Sequence, residues 1–581
     1  METIPRRVLR QAAEQPSTIA YQAKVDGRWR PTTWRTYVEQ IRTAARALIA
    51  LGVPPGGRVS ILGFNRPEWV ILDHATMMAG GAPAGIYTTC SPEEVAYIIH
   101  HSESSVVLVE NAAQLAKIKA QRTHLPLLKW IVMMNGPEAG VATGSDVLTW
   151  GDFLALAEHL PDAELDKRIE AIEQGNLATL IYTSGTTGPP KAVMLSHGNL
   201  AWTANALCDL AGWPTGGVSL SYLPLSHIAE QMATLHVPAT AGSTVYFAES
   251  IEKLPENLKE ARPTAFFGVP RIWEKFHAGL AAKLGEATGV KKQLAEWARG
   301  VCSRVNAHRD RGEPIPKALE LQYLLAVKLV ISKVKAALGL DRATQLYTGA
   351  APIAPDVLAF LASLDLQVME IYGQSEDCGP TSCNLPGKTK IGTVGPTLPG
   401  IEVKIASDGE ILVRGPHVFL GYLKEPEATA ETLVEGWLAT GDLGAFDKDG
   451  FLSITGRKKD IIITAGGKNI APKNIEALIK GSPLVSEAVV IGDRRKYLTA
   501  LVTLDEAATK TVSADDVRAQ IQRTIDLANE TLARVEQVKK FAILASQFGI
   551  DSGELTPTLK IKRKVVAQKF AREIDLMYVD E

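Results

Sequence analysis

The sequence predicts a large N-terminal α/β domain, in which helices cover the sheets, followed by a smaller α+β domain. Through the first three quarters of the chain, short apolar runs alternate with longer helical stretches, and several runs are apolar on both faces. Near residue 451 the composition of the sequence changes. Charged residues, then β-branched residues and then a double glycine follow. A chain of 581 residues is also too long for a single hydrophobic core.

Apolar runs mark the strands of the first domain. The predicted strands are residues 105–110, 177–182, 243–248, 264–269 and 367–372. In the second domain, Pro472 suits the first turn of a helix and Gly481 suits its end. EAVVIGD and ALVTLDE predict strands, and residues 514–538 predict a long amphipathic helix. GRKKD, residues 456–460, is the predicted join between the two domains.

Composition excludes several classes of protein. A net charge of −2 gives no basic surplus for a nucleic-acid partner. The five cysteines are scattered and form no C-x-x-C pair, which disfavours a disulfide framework or zinc site and indicates a reducing cytosol. The N-terminus has no secretory signal, and no stretch predicts a transmembrane helix. The most apolar stretch, residues 321–340, contains three lysines and predicts an amphipathic surface helix, with a membrane-surface helix as the alternative.

The stretch IYTSGTTGPPKAVMLSHGN, residues 181–199, has the composition of a phosphate-binding loop. It is not a Walker A loop, because Gly185 and Gly188 are too close together and Lys191 stands three residues after the second glycine. Glycines let backbone N–H groups converge on a phosphate, and hydroxyl side chains add donors. The hydroxyl donors here are Thr183, Ser184, Thr186 and Thr187. The loop also follows a predicted strand, where such loops lie in α/β proteins.

YTSGTTGPPKAVMLSH resembles the signature loop of the adenylate-forming superfamily, which contains acyl-CoA synthetases, adenylation domains of peptide synthetases and luciferases. Further stretches resemble the family's other motifs in the family's order: YLPLSHIAE, YTGAAPI, IYGQSE, GEILVRGPHVFLGY, GWLATGDLG, GRKKD and LTPTLKIKRK. A single motif match is a weak signal. The joint order of these motifs over most of the chain carries the resemblance.

The resemblance implies an ATP site with Mg²⁺. Its nucleotide-binding residues would be Thr183, Ser184, Gly185, Thr186, Thr187, Gly188, Lys191, Gly349, Ala350, Ala351, Tyr372, Gly373, Ser375, Asp442 and Arg457. Among these, Tyr372 would lie on the adenine and Ser375 near the α-phosphate. Asp442 would accept the ribose hydroxyls, because a carboxylate can take two donors, and Arg457 would reach the ribose. Glu376 would hold Mg²⁺ together with Thr183, as suits a hard cation.

The resemblance also implies the catalytic groups and a mobile C-terminal domain. His227 would lie beside the substrate carboxylate, and Lys560 would be the mobile catalytic lysine. Lys459 would be the hinge, and Gly466 and Gly467 would line the CoA channel, where glycines allow a close backbone approach. The implied boundaries are residues 1–456 for the N-terminal domain, 457–462 for the hinge linker and 463–581 for the C-terminal lid domain.

The substrate follows from ARPTAFFGVPRIWEK, residues 261–275, which resembles long-chain acyl-CoA synthetases of the bubblegum type. This implies a ligase that uses a fatty acid, ATP and CoA. A cytoplasmic location is expected, and the basic tail, residues 560–572, predicts peripheral contact with the inner membrane face. The carboxylate and ATP would give acyl-AMP and pyrophosphate, and the CoA thiol would then give acyl-CoA and AMP. Phe266, Phe267 and Trp273 suit either an acyl tunnel or plain core.

Two other functions stay open at this point. A fatty acyl-AMP ligase would hand its adenylate to a carrier protein, but such relatives tend to carry an insertion after the hinge, and none stands between Lys459 and Gly466. A non-catalytic acyl- or nucleotide-binding homologue would have lost motif residues, whereas Lys191, Glu376, Asp442, Arg457 and Lys560 are all present. The stretch FGIDSGEL looks like a carrier-protein attachment site, but too few residues follow it, so Ser552 is interpreted as a turn residue.

Overall fold

The computed structural model describes residues 2–135, 145–183, 189–209, 216–466, 468–510, 512–550, 552–556 and 560–579. Up to residue 457 the strands are β1 (Ile19–Val25), β2 (Arg28–Thr33), β3 (Arg58–Leu62), β4 (Ala82–Ile86), β5 (Val106–Val109), β6 (Trp130–Met133), β7 (Val147–Thr149), β8 (Leu177–Thr183), β9 (Lys191–Ser196), β10 (Val218–Ser221), β11 (Thr244–Phe247), β12 (Ala265–Gly268), β13 (Gln345–Thr348), β14 (Val368–Gln374), β15 (Gly379–Cys383), β16 (Glu402–Ile405), β17 (Glu410–Arg414), β18 (Gly421–Tyr422), β19 (Leu433–Val434), β20 (Trp437–Phe446) and β21 (Leu452–Arg457).

The helices of the same part are α1 (Ile4–Glu14), α2 (Trp34–Ala50), α3 (Pro67–Met78), α4 (Pro92–Ser102), α5 (Ala112–Ala120), α6 (Trp150–Ala155), α7 (Asp162–Glu170), α8 (His197–Asp209), α9 (Ile228–Gln231), α10 (Val237–Ala241), α11 (Leu254–Ala261), α12 (Pro270–Gly285), α13 (Gly289–Asp310), α14 (Lys317–Ala326), α15 (Ser332–Leu338), α16 (Pro355–Ser363) and α17 (Pro426–Thr432). Short 3₁₀ helices span Arg122–His124, Leu156–His159 and Lys458–Asp460, and π-helical turns span Met232–His236 and Val327–Ile331.

After residue 457 the chain forms the strands β22 (Ile462–Ile463), β23 (Asn469–Ile470), β24 (Val485–Ile491), β25 (Leu498–Leu504) and β26 (Val538–Ile543). Its helices are α18 (Pro472–Ile479), α19 (Glu506–Thr509), α20 (Ala514–Thr531), α21 (Arg563–Lys569) and α22 (Ala571–Leu576).

The main sheet has eight strands in the order β18-β9-β8-β4-β3-β5-β6-β7. Its strands from β8 through β4 and β3 to β7 are parallel, whereas β9 and β18 add antiparallel pairs at one side. Along β5, Val106 and Leu108 pack into the core cluster that contains α2 and α3, while Val107 and Val109 pack into the cluster that contains α4 and α5. Helices therefore cover both faces, as the apolar runs predict.

All five predicted strand runs form strands, namely β5, β8, β11, β12 and β14. Two further four-stranded sheets have the orders β10-β11-β1-β2 and β12-β13-β14-β15, and a five-stranded antiparallel sheet contains β16, β17 and β19–β21. In the sheet β12-β13-β14-β15, the strands β12, β13 and β14 are parallel, so their carboxyl ends lie at one edge of the sheet. That edge is where ligands bind in open parallel sheets.

The C-terminal part is α+β, as predicted. Helices α18 and α20 pack on the three-stranded sheet β24-β25-β26, with Ile475, Ile521 and Val490 in one core cluster. Helix α18 begins at Pro472 as predicted. The helix predicted over residues 514–538 is wrong at its end, because α20 stops at Thr531. The side-chain amide of Asn529 pairs with the backbone of Val538, at 2.9 and 3.0 Å, and Val538 begins β26.

The surface helix predicted over residues 321–340 is confirmed, in the form of α14, a π-helical turn and α15. No helix among the described residues combines the length and the apolar content that crossing a bilayer requires. All five cysteines are free. Ser552 lies in a turn, as predicted, where its hydroxyl donates to the Glu554 carboxylate.

Candidate active site

The predicted phosphate loop connects two adjacent strands. Thr183 ends β8 and Lys191 begins β9, and the two residues face each other in the antiparallel register. The Thr183 hydroxyl donates to the Lys191 carbonyl at 3.4 Å. Ser184, Gly185, Thr186, Thr187 and Gly188 lie outside the described residues. Their phosphate contacts therefore stay a prediction, while the ends of the loop are held in a sheet.

Tyr422 lies between Lys191 and Glu376. The Lys191 ammonium is 4.9 Å from the centre of the Tyr422 ring, and the Tyr422 hydroxyl donates to Glu376 Oε1 at 2.8 Å. Strand β18, which carries Tyr422, pairs with β9, which carries Lys191. The same ammonium lies 3.6 Å from Glu425 Oε2. A cation from the phosphate loop and a carboxylate from the IYGQSE motif thus contact the same tyrosine, one through its ring and the other through its hydroxyl.

Glu376 is chemically suited to a magnesium ion. Its side chain is half-buried, and among the described residues only Oε1 accepts a hydrogen bond, which leaves Oε2 available. The described residues contain no cluster of three or more side chains that could hold a metal by themselves. Magnesium is usually bound through one or two carboxylates together with substrate phosphates and water. The donor set therefore fits a metal that arrives with a nucleotide.

Tyr372, Asp442 and Arg457 form a polar group. The antiparallel register of β20 and β21 sets Asp442 opposite Arg457, and Arg457 Nε lies 3.6 Å from Asp442 Oδ1. The Tyr372 hydroxyl donates to Asp442 Oδ2 at 3.0 Å. Burial raises the pKa of Tyr372 well above its usual value, so its hydroxyl stays protonated as a donor. The Asp442 side chain is only 16% exposed, and its orientation is fixed from two sides.

The IYGQSE motif ends β14 in a tight turn. A Cβ on Gly373 would lie 1.4 Å from the Gly379 carbonyl oxygen, so only glycine lets β14 approach β15 here. Asp377 closes the turn, because its Oδ1 accepts from the Gln374 N–H at 2.6 Å and its Oδ2 accepts from the Thr381 hydroxyl at 2.8 Å. Burial raises the pKa of Asp377 to about 8. Ser375 is buried within this turn.

The predicted adenine-pocket residues follow β13 at the carboxyl edge of its sheet. A Cβ on Gly349 would lie 2.7 Å from Ile371 Cγ2, so the backbones of the two strands approach closely at this point. Ala350 has a left-handed backbone with φ +68°, and both it and Ala351 are exposed. A left-handed non-glycine residue is uncommon, and such residues concentrate at ligand sites.

His227 stands at the start of α9, where its Nδ1 accepts from the Ala229 N–H at 3.2 Å. This hydrogen bond assigns the proton of the neutral ring to Nε2. Burial, together with the positive charge of Lys560, lowers the pKa of His227 to about 4. Behind it, Glu230 is buried, and its Oε1 accepts from the hydroxyls of Ser221 and Thr234 at 2.8 and 2.7 Å.

Lys560 lies close to this group of residues. Part of its side chain is exposed, but the surrounding protein partly desolvates the ammonium and lowers its pKa. The charges of Arg457 and Lys473 lower the pKa further, whereas Glu376 and Asp442 oppose the shift. Because the charges of both carboxylates act on Lys560, and Lys560 acts on His227, the structure brings all four side chains to one site.

The predicted hinge and CoA-channel residues follow Arg457 in the chain. Lys459 is exposed in the 3₁₀ helix Lys458–Asp460, and its neighbour Lys458 pairs with Asp408 at 2.6 Å. Gly466 lies exposed in the turn between β22 and β23, and Gly467 lies outside the described residues. The described contacts do not join these residues to the active-site group, so their roles remain predictions.

Phe266 and Trp273 are core residues. Both are 2% exposed or less, and Trp273 Nε1 donates to the carbonyls of Gly268 and Tyr347 at 3.0 and 3.1 Å. Those bonds join α12 to β12 and β13. Phe267, in contrast, is partly exposed. Of the three aromatic residues, it is therefore the one whose side chain could contact an acyl chain.

The sequence motifs do not single out Tyr422 or Lys473. Tyr422 is the last residue of GEILVRGPHVFLGY, and its terminal aromatic ring was the available signal. Lys473 is the second residue of α18 and lies 3.5 Å from Asp460 Oδ2. Its effect on Lys560 depends on the fold of two separate parts of the chain, so no local pattern indicates it.

Comparisons with known proteins find similar sequences over nearly the whole chain. A family model described as AMP-binding enzyme matches residues 8–423, and one described as AMP-binding enzyme C-terminal domain matches residues 459–581. The long-chain-fatty-acid–CoA ligase ACSBG2 of Xenopus laevis is 39% identical over 97% of this chain and 82% of its own length. The long-chain-fatty-acid–CoA ligase FadD15 of Mycobacterium tuberculosis is 37% identical over 100% of this chain and 98% of its own.

Among solved structures, the A domain of carboxylic acid reductase from Segniliparus rugosus, in complex with AMP and a co-purified carboxylic acid, has a TM-score of 0.77. The match covers 100% of this chain and 94% of that one at 21% sequence identity. At that identity the likeness establishes the fold. The prediction of a large α/β domain with a smaller C-terminal domain is thereby confirmed.

Proposed function

The chain belongs to the family of AMP-binding, adenylate-forming enzymes, and on that premise we propose that it is an ATP-dependent long-chain fatty acid–CoA ligase. The proposal is supported by the proximity of Lys560 to Glu376, Asp442 and His227. It is also supported by the hydrogen bond from Tyr372, in the motif that carries Glu376, to Asp442. Lys560, Glu376, Asp442 and His227 each supply a group that acyl-adenylate chemistry needs: a mobile cation, a metal-binding carboxylate, a ribose acceptor and a neutral hydrogen-bond donor.

In the first half-reaction, the carboxylate oxygen of the acid attacks the α-phosphorus of ATP, and the bond to pyrophosphate breaks. Lys560 places positive charge where negative charge develops on the reacting oxygens. Neutral His227 presents its Nε2–H to the acid, because its Nδ1 is already occupied. Glu376, with Thr183, would hold Mg²⁺, which shields the phosphate charge when bound. Asp442 and Arg457 orient the ribose, and Tyr372 covers the adenine.

In the second half-reaction, the CoA thiol attacks the carbonyl carbon of acyl-AMP, its proton leaves to solvent, and AMP departs. For this step we propose that residues 463–581 rotate as a lid about Lys459 in the linker 457–462, relative to residues 1–456. The rotation would withdraw Lys560 and bring Gly466 and Gly467 to the CoA channel. Support comes from the position of Lys459, which is exposed in a short 3₁₀ helix between the two parts.

Long-chain acids are the proposed substrates because the relatives named as long-chain ligases align over nearly the whole chain. We also propose a cytoplasmic protein that contacts the inner membrane face peripherally. Its five free cysteines fit a reducing compartment, and its described helices contain no candidate membrane span.

Purified protein with ATP, Mg²⁺ and acids from acetate to very long chains, with and without CoA, tests the function. Mass spectrometry would follow acyl-AMP and acyl-CoA. We expect CoA-dependent acyl-CoA formation that is strongest with long chains. Acyl-AMP that accumulates and does not react with CoA would identify an acyl-AMP ligase instead. Nucleotide binding without any product would support a non-catalytic homologue.

Replacing Asp442 with alanine is expected to weaken ATP binding roughly 10- to 100-fold, because hydrogen bonds to a charged acceptor contribute about 1.5–3 kcal/mol. The change removes the acceptor and also leaves Tyr372 and Arg457 without their partner. Isothermal titration of ATP would measure it. Asp447→Ala is a control, since Asp447 directly follows the strand that carries Asp442 and pairs with Lys390 instead. Unchanged ATP affinity in Asp442→Ala would show that the ribose assignment is wrong.

The rate of adenylation is expected to fall on the alkaline side at a pH below the usual lysine pKa of 10.5. Lys560 has a lowered pKa, so its ammonium form is present at low pH and is lost earlier than usual as the pH rises. His227, with a pKa of about 4, stays neutral across this range and should give no second transition between pH 5 and 9. A pH profile of pyrophosphate release measures both. Lys560→Arg should shift the alkaline limb upward, and a limb that does not move would exclude Lys560 as its source.

A further inference from the structure

Four leucines are exposed on one face of the helical segment 317–338. Leu321, Leu324, Leu325 and Leu329 are 62%, 59%, 46% and 43% exposed. Their spacing of three, four and eight residues places them on the same side of the helix. Soluble monomers rarely expose a contiguous apolar patch of this kind unless it binds something.

Lysines surround the leucines. Lys317, Lys328 and Lys333 are exposed on the same segment, where Glu320 is the only exposed acidic residue. None of the three lysines forms an ion pair with another described residue, whereas Lys335, on the inner side, pairs with Asp365 at 2.6 Å. The exposed side of the segment therefore combines apolar side chains with a positive charge that the protein itself does not neutralise.

The neighbouring helix α13 also exposes an aromatic residue and two lysines, together with Glu296. It precedes α14 by a six-residue connection, and Arg304 donates to the side chain of Gln322 at 2.9 Å. Trp297 is 36% exposed on α13, and Lys291 and Lys292 are exposed near its start. Tryptophan is favoured at membrane–water interfaces because its ring is apolar and its N–H is polar.

The buried sides of these helices are firmly packed. Val301 of α13 and Ala326 of α14 belong to the same core cluster as Phe266 and Trp273. The leucines are thus exposed on a rigid platform that adjoins the aromatic residues of β12 and α12. Their exposure does not result from a loosely attached segment.

We propose that the hairpin surface, defined as Leu321, Leu324, Leu325 and Leu329 with Lys317, Lys328 and Lys333, docks on an anionic lipid bilayer. The leucines enter the interface, and the lysines extend their chains to acidic headgroups. A twofold contact with a second copy is disfavoured, because it would place the same lysines against one another. The inference deepens the peripheral contact proposed above and does not depend on the ligase chemistry.

Co-sedimentation of the full-length protein with vesicles tests this surface. The vesicles would be phosphatidylcholine alone, or phosphatidylcholine with about 30 mol% phosphatidylglycerol. The two variants are L324E/L325E and K328E/K333E. The matched controls are L527E/L576E, at leucines that are 64% and 62% exposed, and K448E/K510E, at exposed lysines elsewhere. Circular dichroism would verify that all variants are folded.

We expect wild-type protein to bind the anionic vesicles and to bind the neutral ones weakly. Each hairpin variant should lower the partition coefficient at least roughly tenfold, and the control variants should retain wild-type binding. Failure of wild-type protein to bind, equal binding by the hairpin variants, or equal loss in the controls would each overturn the proposal. So would a dimer in light scattering that L324E/L325E dissociates without any vesicle binding. Ligase activity on a water-soluble acid without vesicles should be unchanged, which separates this test from the proposed function.

Discussion

Lys560→Ala is expected to slow acyl-adenylate formation about 10²–10³-fold, the usual cost of removing one group that stabilises developing charge. The lysine faces Glu376 and Asp442, which would bind the metal and the ribose, and it lies close enough for its charge to act on His227. Acid-dependent exchange of pyrophosphate into ATP measures the step directly.

The control for this variant is Lys564→Ala, which removes a lysine four residues away at an exposed position of α21. It should exchange pyrophosphate at the wild-type rate. Supplying synthetic acyl-AMP and CoA bypasses adenylation, and Lys560→Ala should then form acyl-CoA nearly as fast as wild type, because the lid would have withdrawn the lysine. Full exchange activity in Lys560→Ala would show that the lysine assignment is wrong.

The sequence predicts elements well where local pattern determines structure. The run SVVLVE predicts β5 because its apolar residues alternate between two helix-covered faces, and Pro472 predicts the start of α18 because its fixed φ suits a first turn. It fails at the end of α20, where amphipathic periodicity continues past Thr531. The helix stops there because the side chain of Asn529 binds the backbone of β26, a contact that forms only after folding.

The candidate site likewise contains residues that the sequence predicts and residues that it does not. Motif order predicts Glu376, Asp442 and Lys560, which lie at least 66 positions apart in the sequence and which the fold brings close enough for their charges to interact. It does not predict Tyr422, which joins the phosphate-loop lysine to Glu376 through its ring and its hydroxyl. Motif order also does not distinguish Phe266 and Trp273, which are buried in the core, from Phe267, which is partly exposed. Aromatic residues occur both in cores and in substrate tunnels, so residue type alone does not decide between them.

Glu376→Gln is expected to lower the rate of adenylation about 10²-fold at ordinary Mg²⁺ concentrations, since metal-based charge stabilisation contributes several kcal/mol. Glutamine keeps the shape of the side chain and an oxygen that can accept from the Tyr422 hydroxyl, so the fold of the turn should survive. What it removes is the negative charge that attracts a hard cation. Pyrophosphate exchange over a range of Mg²⁺ concentrations should therefore show both a lower maximum and weaker metal saturation.

Two variants around the same ring make this test specific. Tyr422→Phe removes the hydroxyl but leaves the Glu376 carboxylate, so it should cost far less than Glu376→Gln and should leave metal saturation close to wild type. Glu425→Gln neutralises the carboxylate that pairs with Lys191. This variant should retain the wild-type Mg²⁺ dependence. If Glu376→Gln kept the wild-type Mg²⁺ dependence, or if Glu425→Gln lost it, the metal would be held by a carboxylate other than Glu376.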